Sequence, residues 1–173
     1  FCSVMHNTRS LLQKRIPDPY LRVAAGAVVV IMITIVTGCY DYNGTGMSVI
    51  TDALAGHAHP EAFALKLLLT ALTLGAGFKG GEIVPAFFVG STFGCTIAAV
   101  LGMDPVLAAE LGLIGLFCSV VNCPVTSILL SVELFGSDNF LYFGLTAAVT
   151  YLLSGYYSLY SGQKFMNSKL VPY

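Results

Sequence analysis

The stretch with the most chemical content is Gly75-Ala-Gly-Phe-Lys-Gly-Gly-Glu-Ile-Val-Pro-Ala-Phe-Phe-Val-Gly90. A glycine-rich break there runs directly into Pro85, which suits the first turn of a helix, and a long apolar run follows. The backbone N–H groups around Gly81 to Val84 therefore lack intrahelical acceptors. The helix dipole adds partial positive charge at that end, so the pattern suits an anion. In an apolar surrounding each bare N–H is costly, and a halide accepting several at once would satisfy them. Gly81, Glu82, Ile83, Val84 and Pro85 are thus the candidate anion-binding residues. The competing reading is that the glycines only allow tight packing and Pro85 only starts a helix.

Other reactive side chains are scattered. Glu82 is open to three readings: a helix cap, a partner of Lys79, or a proton-linked group, since a carboxylate at membrane depth tends to be functional. Glu133 reads as a packing or capping group near a helix end. Lys66, inside an apolar stretch, is expected to snorkel its ammonium to an interface. His57, His59 and Glu61 have spacing that could touch a metal, but further ligands are missing, so a solvated loop and no metal site are expected. Cys2, Cys39, Cys95, Cys118 and Cys123 are odd in number and mostly lie in apolar stretches, without a disulfide or zinc pattern. No catalytic triad or paired-carboxylate constellation is visible, so an enzyme is not expected, nor a cofactor beyond a bound halide. An intramembrane enzyme is a distant alternative.

The elements that must position these groups follow from composition. Of 173 residues, 56% are hydrophobic and 10% charged, and the mean hydropathy is +0.81. A water-soluble domain carries roughly 25% charged residues, so this chain could not cover its own surface in water. An all-α membrane protein is the fold class that results, with the lipid bilayer as partner and a multi-pass place in the cell membrane. Uncharged windows run over 23–40, 83–103, 111–132 and 139–163, each long enough to cross a membrane if helical. Pro85, Pro124 and several internal glycines punctuate them, as in discontinuous helices. The spacing predicts helices over about 21–38, 47–55, 61–76, 84–101, 105–121, 124–136 and 140–158, with a short terminal one near 165–170. Asp41 to Gly46 reads as a turn-rich linker, Asp104-Pro105 as a capped helix start, and Asn122-Cys123-Pro124 as a break.

Charge supplies topology. Arg9, Lys14, Arg15 and Arg22 gather near one end, and Lys164 and Lys169 near the other, which places both ends in the cytoplasm with an even number of crossings between them. A net charge of -1 and a pI near 6.3 give nucleic acid no basic surface to bind. Phe1 at the start and the missing leader pattern suggest a piece of something longer.

Gly81-Glu82-Ile83-Val84-Pro85, followed by Phe87-Phe88-Val89-Gly90, resembles the GxFxP motif of the CLC family of chloride channels and chloride/proton antiporters. Three further segments resemble that family in the same order. They are the glycine-rich turn Tyr42 to Gly46, the proline, threonine and glutamate helix from Asn122 to Glu133, and Ser161 to Leu170, similar to the opening of the last helix. The resemblance implies a CLC-type repeat of tilted, discontinuous transmembrane helices. Across 1–173 it covers the second inverted repeat plus the last helix, the C-terminal half of a transporter whose N-terminal half is missing. It further implies halide transport with or without proton coupling, and a homodimer joined through helices near 124–136 and 140–158. On this view the aromatic residues between Phe140 and Tyr160 are dimer-facing or interfacial.

Within the resemblance three positions depart. Ile83 stands where the family has phenylalanine, keeping the N–H donor but removing an aromatic wall. Glu82 stands where chloride-type members have an apolar residue, and this resembles the fluoride/proton branch, so a fluoride/proton antiporter is the nearest rival. A gap-free reading puts Asn167 at the family's pore-lining tyrosine, as the side-chain donor from the last helix. First-repeat motifs bearing a serine and a gating glutamate are absent, as is an inner proton-relay glutamate, and no residue here takes those roles. A rival of another class is a non-conducting half-transporter or scaffold segment.

Overall fold

The computed structural model describes residues 1–155, 158–160 and 163. These form eight helices: α1 (Cys2–Arg15), α2 (Pro19–Thr37), α3 (Met47–Leu54), α4 (Ala62–Ala76), α5 (Ile83–Leu101), α6 (Pro105–Val121), α7 (Pro124–Phe135) and α8 (Phe140–Leu153). No strand occurs among the described residues, in agreement with the all-α expectation. The half-length helix α3 begins where the Asp41–Gly46 linker ends.

Local chemistry explains most of the boundaries. Pro19 and Pro105 each open a helix whose preceding aspartate accepts backbone hydrogen bonds, Asp18 from Tyr20 at 2.9 Å and Asp104 from Val106 and Leu107 at 3.4 and 3.3 Å. Asn122 adopts the left-handed conformation (φ 59°), ends α6, and lets Pro124 begin α7 in a new direction.

Two sequence expectations are corrected. The polar segment before Pro17 is a helix, α1, although it is neither apolar nor long enough to cross a membrane. It forms because Cys2 and Met5 are buried and because Thr8 and Leu12 lie against Gly75 of α4. The window 139–163 is not one helix: α8 stops at Leu153, short of the expected 158. There the chain turns back toward α6, where Leu159 N–H and Ser158 Oγ both donate to the Val120 carbonyl at 3.0 and 3.3 Å.

The centre of the molecule is the crossing of α5 and α6. Gly90 and Gly94 face Gly112 and Ala108 so closely that a methyl group on any of the three glycines would meet the opposing backbone carbonyl. Small residues of this kind let helix backbones touch where lipid gives no hydrophobic drive to association. Tyr42, Ile50, Leu69, Phe88, Leu113, Ile114 and Phe143 gather in the main core around this pair. Hydroxyls inside the helices close on carbonyls one turn back, among them Thr92 on Phe88 at 2.6 Å and Ser127 on Cys123 at 2.8 Å.

Two helices, α2 and α5, have 19 residues each and are long and apolar enough to cross a membrane. At 1.5 Å per residue they span about 28 Å, close to a hydrocarbon core. They differ in place: α5 has a buried inner face, whereas Thr34 is the sole buried residue of α2. Arg22 near the start of α2 anchors that helix, donating to the carbonyls of Ala76 at 3.1 Å and Ile16 at 3.3 Å.

Because Gly94 meets backbone rather than a movable side chain, Gly94→Val should cost about 3 kcal/mol or abolish folding. Gly144→Ala, in open space on α8, should change stability by less than about 1 kcal/mol. Thermal unfolding in detergent micelles measures both, and equal effects of the two would contradict the crossing described.

Candidate functional site

The site is assembled around the break between α4 and α5. Helix α4 ends on Gly77 in the left-handed region (φ 113°), and five residues later Glu82 caps α5 with no side-chain hydrogen bond of its own. The first helical bond of α5 runs from Ala86 N–H to the Glu82 carbonyl at 3.2 Å. Pro85, third residue of the helix, carries no N–H. Ile83 and Val84 are left as the two first-turn donors, and neither has an acceptor among the described residues. Gly81 is exposed and Glu82 to Pro85 are half-buried, so this helix end is open on one side.

Three cavities border the segment. The first, of 490 Å³, runs from the linker past Lys66 and Thr70 to Gly81, Val84 and Pro85. A second, of 280 Å³, is lined by Gly81 to Val84 together with Leu159 and Tyr160. The third, of 400 Å³, carries the cations Arg9, Arg22 and Lys79 beside the Glu82 carboxylate. Donors, a helix N-terminus and basic side chains thus meet at one place, an arrangement that attracts and holds anions.

Lys66 is not a snorkelling residue. It is 2% exposed, and its ammonium donates to the carbonyls of Tyr42 at 3.0 Å and Gly44 at 2.7 Å. It also lies 4.8 Å from the centre of the Phe88 ring. Lys66 is the fifth residue of α4, and the linker folds over it and supplies both carbonyls. Gly46 makes the fold-over possible, since its φ of 67° favours glycine and a methyl there would strike the Phe88 ring. Tyr42 packs edge-on against that ring with centres 6.3 Å apart. Burial, with the Glu61 charge adding to it, raises the Tyr42 phenol above its ordinary value and keeps it neutral.

Asn167 and the terminal helix expected near 165–170 lie outside the described residues. Leu159 and Tyr160 of the C-terminal segment share a cavity with Gly81 to Val84, and Tyr160 is the one of the two with a polar side chain. Its backbone N–H donates to Ser158 Oγ at 3.1 Å, which ties it to the end of α6. Sequence reading ranks Tyr160, with Ser168, behind Asn167 as the pathway side chain, because its position depends on contacts that residue order does not show. Glu110 escaped notice: it lies half-buried on α6, near Asn139 at the start of α8. The Glu82 carboxylate forms no pair with Lys79 among the described residues. His57 and His59 line a separate cavity with Asp41 and Asp52, and no group of three metal-binding side chains occurs among the described residues. All five cysteines are free.

Comparison with known proteins points to one family. The profile of the family described as voltage gated chloride channel matches residues 1–155. A chloride/fluoride channel protein of Pseudomonas syringae pv. tomato is 27% identical over 98% of this chain and 39% of its own length. An H(+)/Cl(-) exchange transporter, ClcA, of Vibrio parahaemolyticus is 29% identical over 53% of this chain and 22% of its own. Among solved structures, a CLC-type fluoride/proton antiporter superposes with a TM-score of 0.89 at 30% identity, over 93% of this chain and 41% of that one. The chain therefore spans about two fifths of the length of the relatives it matches most fully.

Two unpaired donors at a proline-bearing helix start should hold an anion. Crystals soaked in bromide should show anomalous density beside Ile83 and Val84; density confined to the loops at 41–46 or 56–61 would contradict the assignment.

Proposed function

The chain belongs to the voltage-gated chloride channel family, and from that premise we propose that it forms the C-terminal half of a halide pathway through the cell membrane. The observation that carries this reading is the open start of α5, where the Ile83 and Val84 N–H groups lack protein acceptors and cavities adjoin them. A halide arriving there exchanges water for these donors and for the positive end of the helix dipole. Hydrogen bonds to a charged group contribute about 1.5–3 kcal/mol each, so two of them offset only part of the dehydration cost. The remaining ligands come from elsewhere, in keeping with an exposed Gly81 and with a chain shorter than its relatives.

Tyr160 takes the role first expected of Asn167. Its phenol is a single donor on a bulky ring, able to hold an anion and obstruct its passage at the same site. The 280 Å³ cavity that it shares with Gly81 to Val84 supports this placement.

Apolar surface outside the site suits a bilayer and a second copy. Val28, Ile31, Met32, Ile35 and Val36 of α2 are exposed and face lipid in this reading. On α7 and α8, Val125, Leu129, Leu141, Leu145 and Val149 are likewise exposed and form the contact of a homodimer.

Fluoride is the second reading of the transported ion. Glu82 at the start of α5 supports it, as do the printed names of a chloride/fluoride channel relative and a fluoride/proton antiporter structure. Proton coupling would then involve groups of the other half.

In reconstituted vesicles this chain alone should not conduct, and adding the N-terminal half in cis or in trans should restore saturable halide flux. Comparing chloride with fluoride efflux separates the two ions. Selective flux from 173 residues alone would defeat the half-pathway reading, and inert protein after the halves are combined would favour a scaffold. In the two-half protein, Tyr160→Phe should raise the half-saturating halide concentration several-fold without lowering the unfolding temperature; an unchanged value would remove Tyr160 from the pathway.

A further inference from the structure

Charge is sorted along this chain. Of the six lysines and arginines among the described residues, five (Arg9, Lys14, Arg15, Arg22 and Lys79) stand on α1, the start of α2 or the loop after α4. Of the nine acidic residues, only Asp18 and Glu82 stand on those segments. Here α1, α2 and the loop before α5 border a cavity of 400 Å³, lined by Arg9, Gln13, Arg22 and Lys79 with Glu82 beside them. That volume falls among small-ligand sites, which run from about 300 to 1,000 Å³.

Arg22 is the fixed part of this cavity. It is half-buried beside Gly77, and its Nε and Nη1 donate to the carbonyls of Ala76 and Ile16 at 3.1 and 3.3 Å. A guanidinium has five N–H groups, so three remain for a ligand, in a fork already oriented for phosphate oxygens. Arg9 and Lys79 are exposed and have no partner among the described residues. Anchoring α2 accounts for the two bonds of Arg22 but not for two more cations around the same space. Three like charges repel, and the one carboxylate does not offset them, so the cavity favours an anion.

What adjoins the cavity identifies the carrier of that anion. Tyr20 and Leu21, next to Arg22, are 86% and 63% exposed, and α2 continues exposed and apolar through Val28, Ile31, Ile35 and Val36. A free phosphate would use the cavity alone. A phospholipid would use both, with acyl chains along α2 and the Tyr20 ring at the headgroup level.

We infer that this cavity binds the headgroup of an anionic phospholipid, with its phosphate on Arg22 between Arg9 and Lys79 and its chains along α2. Ile83 and Val84 do not line it, which separates it from the halide cavities. The inference rests on the bilayer placement of the chain and not on the ion carried. A lipid seated there ties α1, α2 and the loop before α5 together, and so stabilises the fold by mass action.

The test is unfolding temperature in detergent against added phosphatidylglycerol, phosphatidylcholine or glycerol phosphate, for the chain alone and joined to the N-terminal half. Phosphatidylglycerol should raise the temperature saturably, and the other two at equal concentration should not. Arg9→Gln with Lys79→Gln should raise the half-saturating phosphatidylglycerol concentration about tenfold. Lys14→Gln with Arg15→Gln removes as much charge from the exposed last turn of α1, outside the cavity, and should stay within about threefold. Equal losses in the two double variants would mean diffuse attraction and overturn the site. Equal stabilisation by glycerol phosphate or phosphatidylcholine would overturn the anionic lipid as ligand. Binding that vanishes once the N-terminal half is joined would mean that this half covers the cavity, which also overturns the inference. Should the cavity variant not fold, crystals of the unaltered protein grown with phosphatidylglycerol brominated in its chains decide: anomalous density along α2 supports the site, and density only elsewhere overturns it. Lipid binding without halide flux would leave the inference standing and remove the transport reading alone.

Discussion

Away from water, every backbone donor and every charge must find a partner inside the protein or in what it binds, and this structure is organised around the few groups that do not. Most of the chain meets the requirement by being helical, and its buried hydroxyls close on carbonyls one turn back. Prolines stand where the missing N–H costs least, at the first position of α2, α6 and α7. Pro85 departs from this placement: it occupies the third position of α5, and the two N–H groups before it have no acceptor among the described residues. On the same cavity lies Lys66, whose ammonium donates to two carbonyls and has no carboxylate partner among the described residues. Unmet donors and a buried cation border the same cavity, and both suit a negatively charged ligand.

The surrounding helices hold that exception in place. The α5–α6 crossing brings two backbones into contact through Gly90, Gly94 and Gly112, which fixes the axis of α5 and hence the direction of its open end. From the other end of α6, the Val120 carbonyl receives Ser158 and Leu159 and delivers Tyr160 to the opposite side of the site. One helix pair therefore orients the donors and the side chain that faces them.

Much of this was legible in residue order. The proline, aspartate and glycine punctuation locates α2, α3, α4, α5, α6 and α7 to within about two residues, because caps and breaks are local chemistry. Two elements were not legible in the same way. Helix α1 has no apolar run of membrane length and owes its position to Gly75 of α4, seventy residues away in the chain or nearly so. The end of α8 is set by the return of the chain to Val120, a contact that no composition window registers. Among the site residues, Gly81 to Pro85 stand out in sequence because a glycine break before proline is itself the physical cause of the free donors.

What the sequence by itself determined is the membrane-suited, all-helical class of the chain and the location of its unpaired helix start, since both depend on residue type and nearest neighbours. Tertiary structure alone decided the company of that helix start. The ammonium of Lys66 is buried rather than carried to an interface because a linker more than twenty residues upstream folds back over it. Tyr160 shares a cavity with the donors because Ser158 and Leu159 dock on the Val120 carbonyl at the end of α6. Contacts of this range depend on how helices cross, and helix crossing is set by the shape of whole faces rather than by any residue read in order.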